Sequence, residues 1–418
     1  MSDSTEPLRG TGCPIQVGSV ALSPPLGIAP MAGMTDSAFR QLVKRHGECG
    51  LVVTEMVSSE GLVRGIDRTL EYAEYTPAER PISIQIFGGD PAKMAAAAQI
   101  VESMGADIVD VNMGCPVPKI ARHQAGCSLM REPAHAASVI AAMTRAVQIP
   151  VTVKMRAGWD DGHRNAPELA RMVEDAGAAA VTVHGRTAAQ SYSGTADWDL
   201  VARVADLLTI PVFGSGDCTT PEQIVARLKS GVEGVLVGRG VLRNPWILAQ
   251  AADLIAGRPA REVTPGDRAR FLLDYIDLLL TQRLPEDAEH AATGGPEGPH
   301  YSRLSASAAS SVATGGPESP HYSRLNTSAA SSVATGGPEG PHYSRLSASA
   351  ASSDVVRAFR PARSTSSHNR WVVNKIRALG SWYTKGFDHG SRLRTSINSA
   401  GSVSELRELI DAFFTVPA

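Results

Sequence analysis

From about Gly27 to Gln250, short apolar runs alternate with longer stretches patterned on a helical period. The runs at 27–31, 51–55, 82–87, 107–112, 151–155, 179–184, 210–214 and 234–238 are continuous rather than alternating. That is the pattern of parallel strands covered on both faces. Between them, Pro91–Met104, Pro133–Val147 and Pro221–Lys229 each place a proline near the first turn of a predicted helix, where a missing N–H leaves no bond unmade. Eight β-then-α units predict an α/β fold, a (β/α)8 TIM barrel, over residues 1–255. A doubly wound sheet is the alternative, but it does not need eight such units. From about Pro265 the pattern turns helical, with helices expected at Asp267–Gln282, Asn369–Tyr383 and Ser402–Phe414. Residues 256–418 are therefore expected to form a small all-helical C-terminal domain.

A repeat interrupts that helical part. Residues 292–312 recur almost verbatim at 313–333 and 334–353, a period of 21. The repeat is rich in Gly, Pro, Ser and Ala, so it predicts an insertion with too little apolar surface to offset the entropy of ordering. A partner-binding tail built on its recurring His-Tyr-Ser-Arg is the other reading.

Composition narrows the class. A hydrophobic share of 43% and a charged share of 20% are ordinary for a soluble globular chain. No apolar run is long enough to span a membrane, and Met1–Gly10 lacks the apolar core of a secretory signal. Five scattered cysteines without a C-x-x-C pair suggest neither a disulfide framework nor a zinc site, and they fit a reducing cytoplasm. The net charge of −2 points to no nucleic-acid partner, but residues 355–394 hold nine Lys/Arg against the single acid Asp388. Positive charge is thus local and late in the chain.

In a TIM barrel, function gathers just past the C-terminal ends of the strands. Those positions here carry Pro30-Met31-Ala32, Glu55, Gln85, Asn112 with Cys115, Lys154-Met155-Arg156, His184 with Arg186, Ser215-Gly216-Asp217 and Gly238-Arg239. The glycines after the last two strands suit either plain tight turns or a phosphate approached through backbone N–H groups, with Arg239 as a charged partner. Lys154 lies in the strand VTVKM, where a lone ammonium needs an anion. A reduced flavin edge or an internal pairing with Glu55 would each supply one. Gln85, a buried amide, suits the polar edge of such a ring. Cys115 sits in a rigid Gly-Cys-Pro turn, and a protonated thiol there can act as an acid. His184 is either a structural histidine or a ligand-positioning group.

Taken together, APMAGMTDSAFR (29–40), QIFGGDP (85–91), DVNMGCPVPKI (110–120), VKMRAGWDD (153–161), VHGRTAAQSYSG (183–194), GSGDC (214–218) and the run from Val237 to Trp246 closely resemble the bacterial, FMN-dependent tRNA-dihydrouridine synthases. The resemblance resumes at 370–398. It implies a cytoplasmic flavoenzyme that reduces the C5=C6 bond of selected tRNA uridines with FMN, drawing electrons from NADPH and acting as a monomer away from membranes. It further implies that Pro30, Met31, Ala32, Gln85, Lys154, His184, Ser215, Gly216, Asp217, Gly238 and Arg239 hold FMN, and that Cys115 protonates C5. Asn112, Arg186, Arg377, Lys385 and Arg392 would contact the RNA. Arg357, Arg360, Arg363, Arg370, Lys375 and Arg394 are further candidates, with Trp371, Trp382 and Tyr383 free for stacking or core packing. Ser215 departs from the family's usual Asn. The rival functions are an FMN barrel acting on a free pyrimidine and a non-catalytic RNA-binding regulator.

Overall fold

The structure, a computed structural model, describes residues 14–121, 124–281 and 365–415. Its first described element lies outside the sequence expectations. It is a hairpin of β1 (Ile15–Val17) and β2 (Val20–Leu22), paired antiparallel. Its tight turn uses Gly18 at φ 56, a conformation that costs glycine little, and an added Cβ there would meet Pro150 Cγ at 2.8 Å. A Gly-Ser pair between two short apolar runs is a legible hairpin signal.

The eight anticipated strands follow as β3 (Leu26–Ile28), β4 (Leu51–Val53), β6 (Ile82–Phe87), β7 (Ile108–Met113), β8 (Val151–Arg156), β9 (Ala180–His184), β10 (Val212–Ser215) and β11 (Gly234–Val237). A two-residue strand, β5 (Val57–Ser58), pairs beside the end of β6. All eight pair in parallel, and the ring closes where Val235 and Val237 meet Leu26 and Ile28. The fold is a TIM barrel. Every strand therefore delivers its C-terminal end to the same face.

Two apolar cores hold the ring. Inside it, Leu51, Val53, Ile108, Phe213 and Leu236 pack with Ile15, Val17 and Leu22 of the hairpin, which seals the N-terminal end. Outside it, a larger cluster fills the layer between strands and helices. The proline-started helices run Pro91–Ser103, Pro133–Ala146 and Pro221–Leu228. Asp90 caps the first by accepting from the N–H groups of Ala92 and Lys93, and Thr220 with Gln223 forms a capping box on the third.

The outer cluster continues without a break into the closing helices Pro265–Thr281, Thr365–Tyr383, Gly390–Ser399 and Val403–Thr415. The third of these is not among the expected helices. Tyr383 is fully buried, stacks on Phe271 at 5.6 Å and donates to the Arg268 carbonyl, so it belongs to the core rather than to a stacking surface. His368 lies 3.2 Å from the Leu280 carbonyl, which brings together the two chain ends flanking the repeat; residues 292–353 themselves lie outside the described residues. No described helix is long and apolar enough to cross a membrane.

One buried ion pair braces the turn after β3. Arg40 Nε donates to Glu79 Oε2 at 2.6 Å, with both side chains almost wholly enclosed. The remaining guanidinium groups bond the carbonyls of Thr35 and Glu74, and Glu79 also accepts from Ser37 and the Thr76 N–H. Replacing Arg40 by alanine strands a carboxylate without water, which costs about 3–5 kcal/mol. Urea unfolding of Arg40→Ala at neutral pH is expected to show a loss of that order; a loss within about 0.5 kcal/mol, as for an ordinary surface substitution, would contradict it.

Candidate active site

At the mouth of the barrel, the turn Pro30-Met31-Ala32-Gly33 leaves β3. Met31 N donates to Thr35 Oγ1 at 3.1 Å and Gly33 N donates to Glu55 Oε2 at 2.6 Å. The turn is also gripped from the far end of the chain. Lys375, on the helix Thr365–Tyr383, donates to the Gly33 carbonyl at 3.1 Å and lies 2.8 Å from Asp36 and 3.8 Å from Glu55. Tyr275 donates to the same Asp36 carboxylate. Burial opposes the charge on Lys375, but Asp36 and Glu55 outweigh it and hold its pKa above the usual lysine range. Burial pushes Glu55 up, and Lys375 only partly offsets that. Two expectations change here. Lys375 is tied into this cluster rather than presented to a phosphate backbone, and Glu55 pairs with Lys375, not with Lys154.

Across the lumen, β6, β7 and β8 place a chain of short hydrogen bonds in register. Thr152 Oγ1 donates to Asp110 Oδ1 at 2.7 Å, and Gln85 Nε2 donates to Asp110 Oδ2 at 2.7 Å. Asn112 Nδ2 donates to Gln85 Oε1 at 2.7 Å. The side-chain carbonyl of Asn112 then accepts from the N–H groups of Gly114 and Cys115 at 3.0 and 2.9 Å. Burial raises the Asp110 pKa, with Gln85, Thr152 and Lys154 acting against the rise. Lys154 stands two residues beyond Thr152 on β8, pushed down to about 8 by burial and by Arg156. Beneath it the lumen narrows to a small cavity that Ser83, Asp110, Thr152 and Thr182 line.

Cys115 is 8% exposed. Its carbonyl accepts from Cys127 N at 3.1 Å, and Arg156 Nε donates to the neighbouring Gly114 carbonyl at 2.8 Å. Burial raises the thiol pKa, and a backbone N–H at Val117 and the charge of Arg156 only partly counter it. The group is thus a protonated thiol at neutral pH, held in a loop clamped on both sides.

The ends of β9, β10 and β11 build the second half of the mouth. His184 is driven well below its usual value by burial and then by Lys154, Arg156, Arg186 and Arg239, so it is neutral. Gly216, at φ 116, packs so tightly that a Cβ would meet Ala196 at 2.8 Å and His184 at 2.9 Å. The Asp217 carboxylate accepts from Ala196 N and from Arg186, both at 2.7 Å, so its side chain is already engaged within the protein. Ser215 is buried beside them. Gly238 has no side chain to bond the first N–H groups of the helix Arg239–Arg243, and a Cβ there would meet Met31 Sδ at 3.7 Å and Ala29 Cβ at 3.9 Å, ordinary contact distances. Arg239 lies over Tyr192 at 4.9 Å, its charge disfavoured by burial and by Arg186.

Lys154, Arg156, Arg186 and Arg239 face only Asp110 and Asp217 within this group. A mouth where four cations face two carboxylates fits an anionic, phosphate-bearing ligand.

Several predicted contacts have structural work of their own. Arg186 is buried and bonds the carbonyls of Ser193 and Gly194 together with Asp217. Asn112 uses both ends of its amide within the chain described above. Arg377 is half-buried and caps the Ala400 carbonyl at 2.8 Å. Lys385 and Arg392 are exposed, as is Arg370. Lys385 lies 4.3 Å over Trp382, its pKa lowered by burial and then by Arg243, Arg394 and Arg239. Trp371 and Trp382 are half-buried against the core. Arg357, Arg360 and Arg363 lie outside the described residues.

Sequence reasoning places Arg156 at a strand end without giving it a role, and it passes over Asp110 and Thr152. Arg156 also donates to the carbonyls of Thr187 and Ser191 at 3.0 and 2.8 Å, joining the Cys115 loop to the loop that carries Tyr192. Positions 152, 154 and 156 share one face of a strand, so counting by twos from Lys154 finds two of the three.

The family model for dihydrouridine synthase matches residues 27–285. A probable tRNA-dihydrouridine synthase of Rhodobacter capsulatus is 42% identical over 271 residues, which cover 64% of this chain and 83% of that protein. The tRNA-dihydrouridine synthase B of Xanthomonas campestris is 39% identical over 290 residues, 69% of this chain and 84% of its own length. A probable tRNA-dihydrouridine synthase 1 of Synechocystis is 44% identical over 269 residues, covering 64% and 75%.

The raised thiol pKa has a direct readout. Alkylation needs the thiolate, so modification of Cys115 by iodoacetamide is expected to stay slow through the ordinary thiol value of 9.0 and to climb only above it. Peptide mass spectrometry across a pH series measures this. A midpoint below 9.0 would mean that the site stabilises a thiolate instead.

Proposed function

This chain belongs to the dihydrouridine synthase family, and from that premise we propose that it is a tRNA-dihydrouridine synthase whose FMN chemistry ends in a proton from Cys115. It is an FMN-dependent oxidoreductase by family. The charge imbalance at the mouth is the observation that supports the cofactor's placement. Arg239 with the backbones of Ser215, Gly216, Asp217 and Gly238 would take the phosphate end. Pro30, Met31, Ala32, Gln85, Lys154 and His184 would line the ring. When bound, FMN supplies the hydride that reduces C6 of the uracil, and NADPH is the proposed source of those electrons.

Hydride at C6 leaves an electron pair at C5, which needs one proton from a fixed acid. The Cys115 S–H bond breaks, a C5–H bond forms, and the sulfur is left as a thiolate. Arg156 stands beside that developing charge. Because burial raises the thiol pKa, the thiolate readily recovers a proton from solvent, and the acid is reset. Neutral His184 can bond a carbonyl without adding positive charge to a site that already holds four cations.

The uracil must leave its stack to reach the mouth. The helical part from residue 256 onward is then proposed to hold the RNA backbone through Lys385, Arg392 and Arg394, with Arg243 of the barrel beside Trp382. Asn112 and Arg186 serve the substrate through the loops they hold. The same reading places a monomer in the cytoplasm, where tRNA and NADPH are found.

Two outcomes test the proposal. In a strain lacking the gene, tRNA mass spectrometry is expected to show a uridine without its two added hydrogens. Wild type restores them, and Cys115→Ala with full FMN content reduces the rate by about 10²–10⁴-fold, the range for removing a general acid. Full restoration by Cys115→Ala would reject Cys115 as the proton donor.

The second outcome concerns Lys154, pushed down to about 8. Its ammonium is present below that value and lost above it, and a bound anion moves the midpoint upward. FMN affinity is therefore expected to weaken as pH rises beyond about 8 and to lose this dependence in Lys154→Met, as fluorescence titration would record. An unchanged pH profile in that variant would remove Lys154 from the cofactor site.

A further inference from the structure

We propose that Asp110 is a positioning residue that sets the hydrogen-bond polarity of the active site and thereby aims the Cys115 loop. The argument rests on the reading of Cys115 as the acid, and it begins from what each group can do. Both Asp110 oxygens accept, one from Thr152 and one from Gln85, whereas an amide donates at one end and accepts at the other. Asp110 Oδ2 therefore faces the Nε2 end of Gln85, at 2.7 Å. That leaves Gln85 Oε1 as the group facing β7, so Asn112 must turn its Nδ2 toward it, also at 2.7 Å. Asn112 Oδ1 is then the end left over, and it accepts from both Gly114 N and Cys115 N.

The order of donors and acceptors runs in one direction from the carboxylate to the loop. The Gly114 and Cys115 N–H groups fix the Asn112 amide from one end of the chain, and Asp110 fixes the Gln85 amide from the other by giving its Nε2 an acceptor. Thr152 completes the anchor by donating to Asp110 Oδ1 at 2.7 Å. All three relay side chains are buried, with Asp110 5%, Gln85 1% and Asn112 9% exposed, so water cannot readily replace a lost partner.

If the carboxylate is removed, Gln85 loses the partner that fixes its amide. A flipped Gln85 presents Nε2 to Asn112 Nδ2, and relief of that clash turns Asn112. Its NH2 then points at the N–H groups of Gly114 and Cys115, and the loop must move. Asp110 touches none of the reacting atoms. Its effect reaches Cys115 through two side chains.

The test uses Asp110→Leu, Asp110→Asn, Gln85→Glu and the double variant Asp110→Asn/Gln85→Glu. The amide introduced by Asp110→Asn can still accept from Gln85 through its oxygen, and Thr152 can accept from its NH2, so this variant should stay near wild type. Gln85→Glu alone sets two carboxylates against each other. The double variant restores the order, because the carboxylate now at position 85 accepts from the new amide at position 110 and from Asn112.

Two readouts are needed. The first is the rate of Cys115 alkylation, mapped by peptide mass spectrometry. It should rise several-fold in Asp110→Leu and Gln85→Glu and return toward wild type in the double variant. The second is single-turnover reduction of tRNA per flavin-loaded enzyme. In Asp110→Leu the rate at saturating tRNA should fall about 10²-fold, the scale of a small misplacement of a reacting group, with the half-saturating tRNA concentration unchanged. Asp110→Leu/Cys115→Ala should be no slower than Cys115→Ala.

Alkylation that is unchanged in Asp110→Leu and Gln85→Glu overturns the inference, as do losses that multiply in Asp110→Leu/Cys115→Ala. A purely structural role would lower melting temperature and flavin content yet leave the rate per loaded enzyme intact, which also overturns it. If Cys115→Ala alone turns over like wild type, the reading of Cys115 fails instead, and the alkylation series still decides whether Asp110 aims the loop.

Discussion

Closing a parallel sheet on itself turns every second side chain of each strand into a lumen that water cannot fill, and the rest of this molecule follows from how that lumen is occupied. At the N-terminal end it is apolar, packed by Leu51, Ile108, Phe213, Leu236 and the hairpin residues Ile15, Val17 and Leu22. Toward the other end it becomes polar, and each polar group there needs a partner. Gln85, Asp110, Asn112 and Thr152 supply partners for one another. The cations Lys154 and Arg239 meet carboxylates only at longer range, through Asp110 and Asp217, and that mismatch favours an anion in the site. The same wall thus holds a saturated half and an unsaturated half.

Much of the barrel can be read from the chain because its signals are local. Continuous apolar runs such as Ile82–Phe87 are buried along almost their whole length, and prolines mark the starts of three of the helices as expected. The chemistry-bearing strand ends are legible for the same reason, since the fold converts a position in sequence into a place at the mouth. The hairpin escapes such a reading although Gly18-Ser19 announces it, because strands of three residues carry too little periodicity to register against their surroundings.

Charge is harder to read, because a count of lysines and arginines does not say which way each one faces. Lys375 falls among the cations expected to meet RNA, yet it stands three residues after Val372 and one before Ile376, on the edge of the stripe that packs into the core. Helical spacing places it inward, and the partners that make burial tolerable, Asp36 and Glu55, lie more than three hundred residues earlier. Arg377 and Arg186 follow the same rule, each satisfied by carbonyls that no sequence pattern brings together. Asp110 and Thr152 look like ordinary strand residues until the register of β6, β7 and β8 is known.

The hairpin has a kinetic consequence. Because β1 and β2 pack into the lumen at its N-terminal end, the proposed cofactor site is reached from the face where the described strands end. On the proposed reading, the electron donor and the RNA share a single doorway, and each must leave before the other can enter. The two half-reactions then alternate in time, and an excess of either partner obstructs the visit of the other. On that reading, a floor sealed by a short hairpin gives the two half-reactions a ping-pong order.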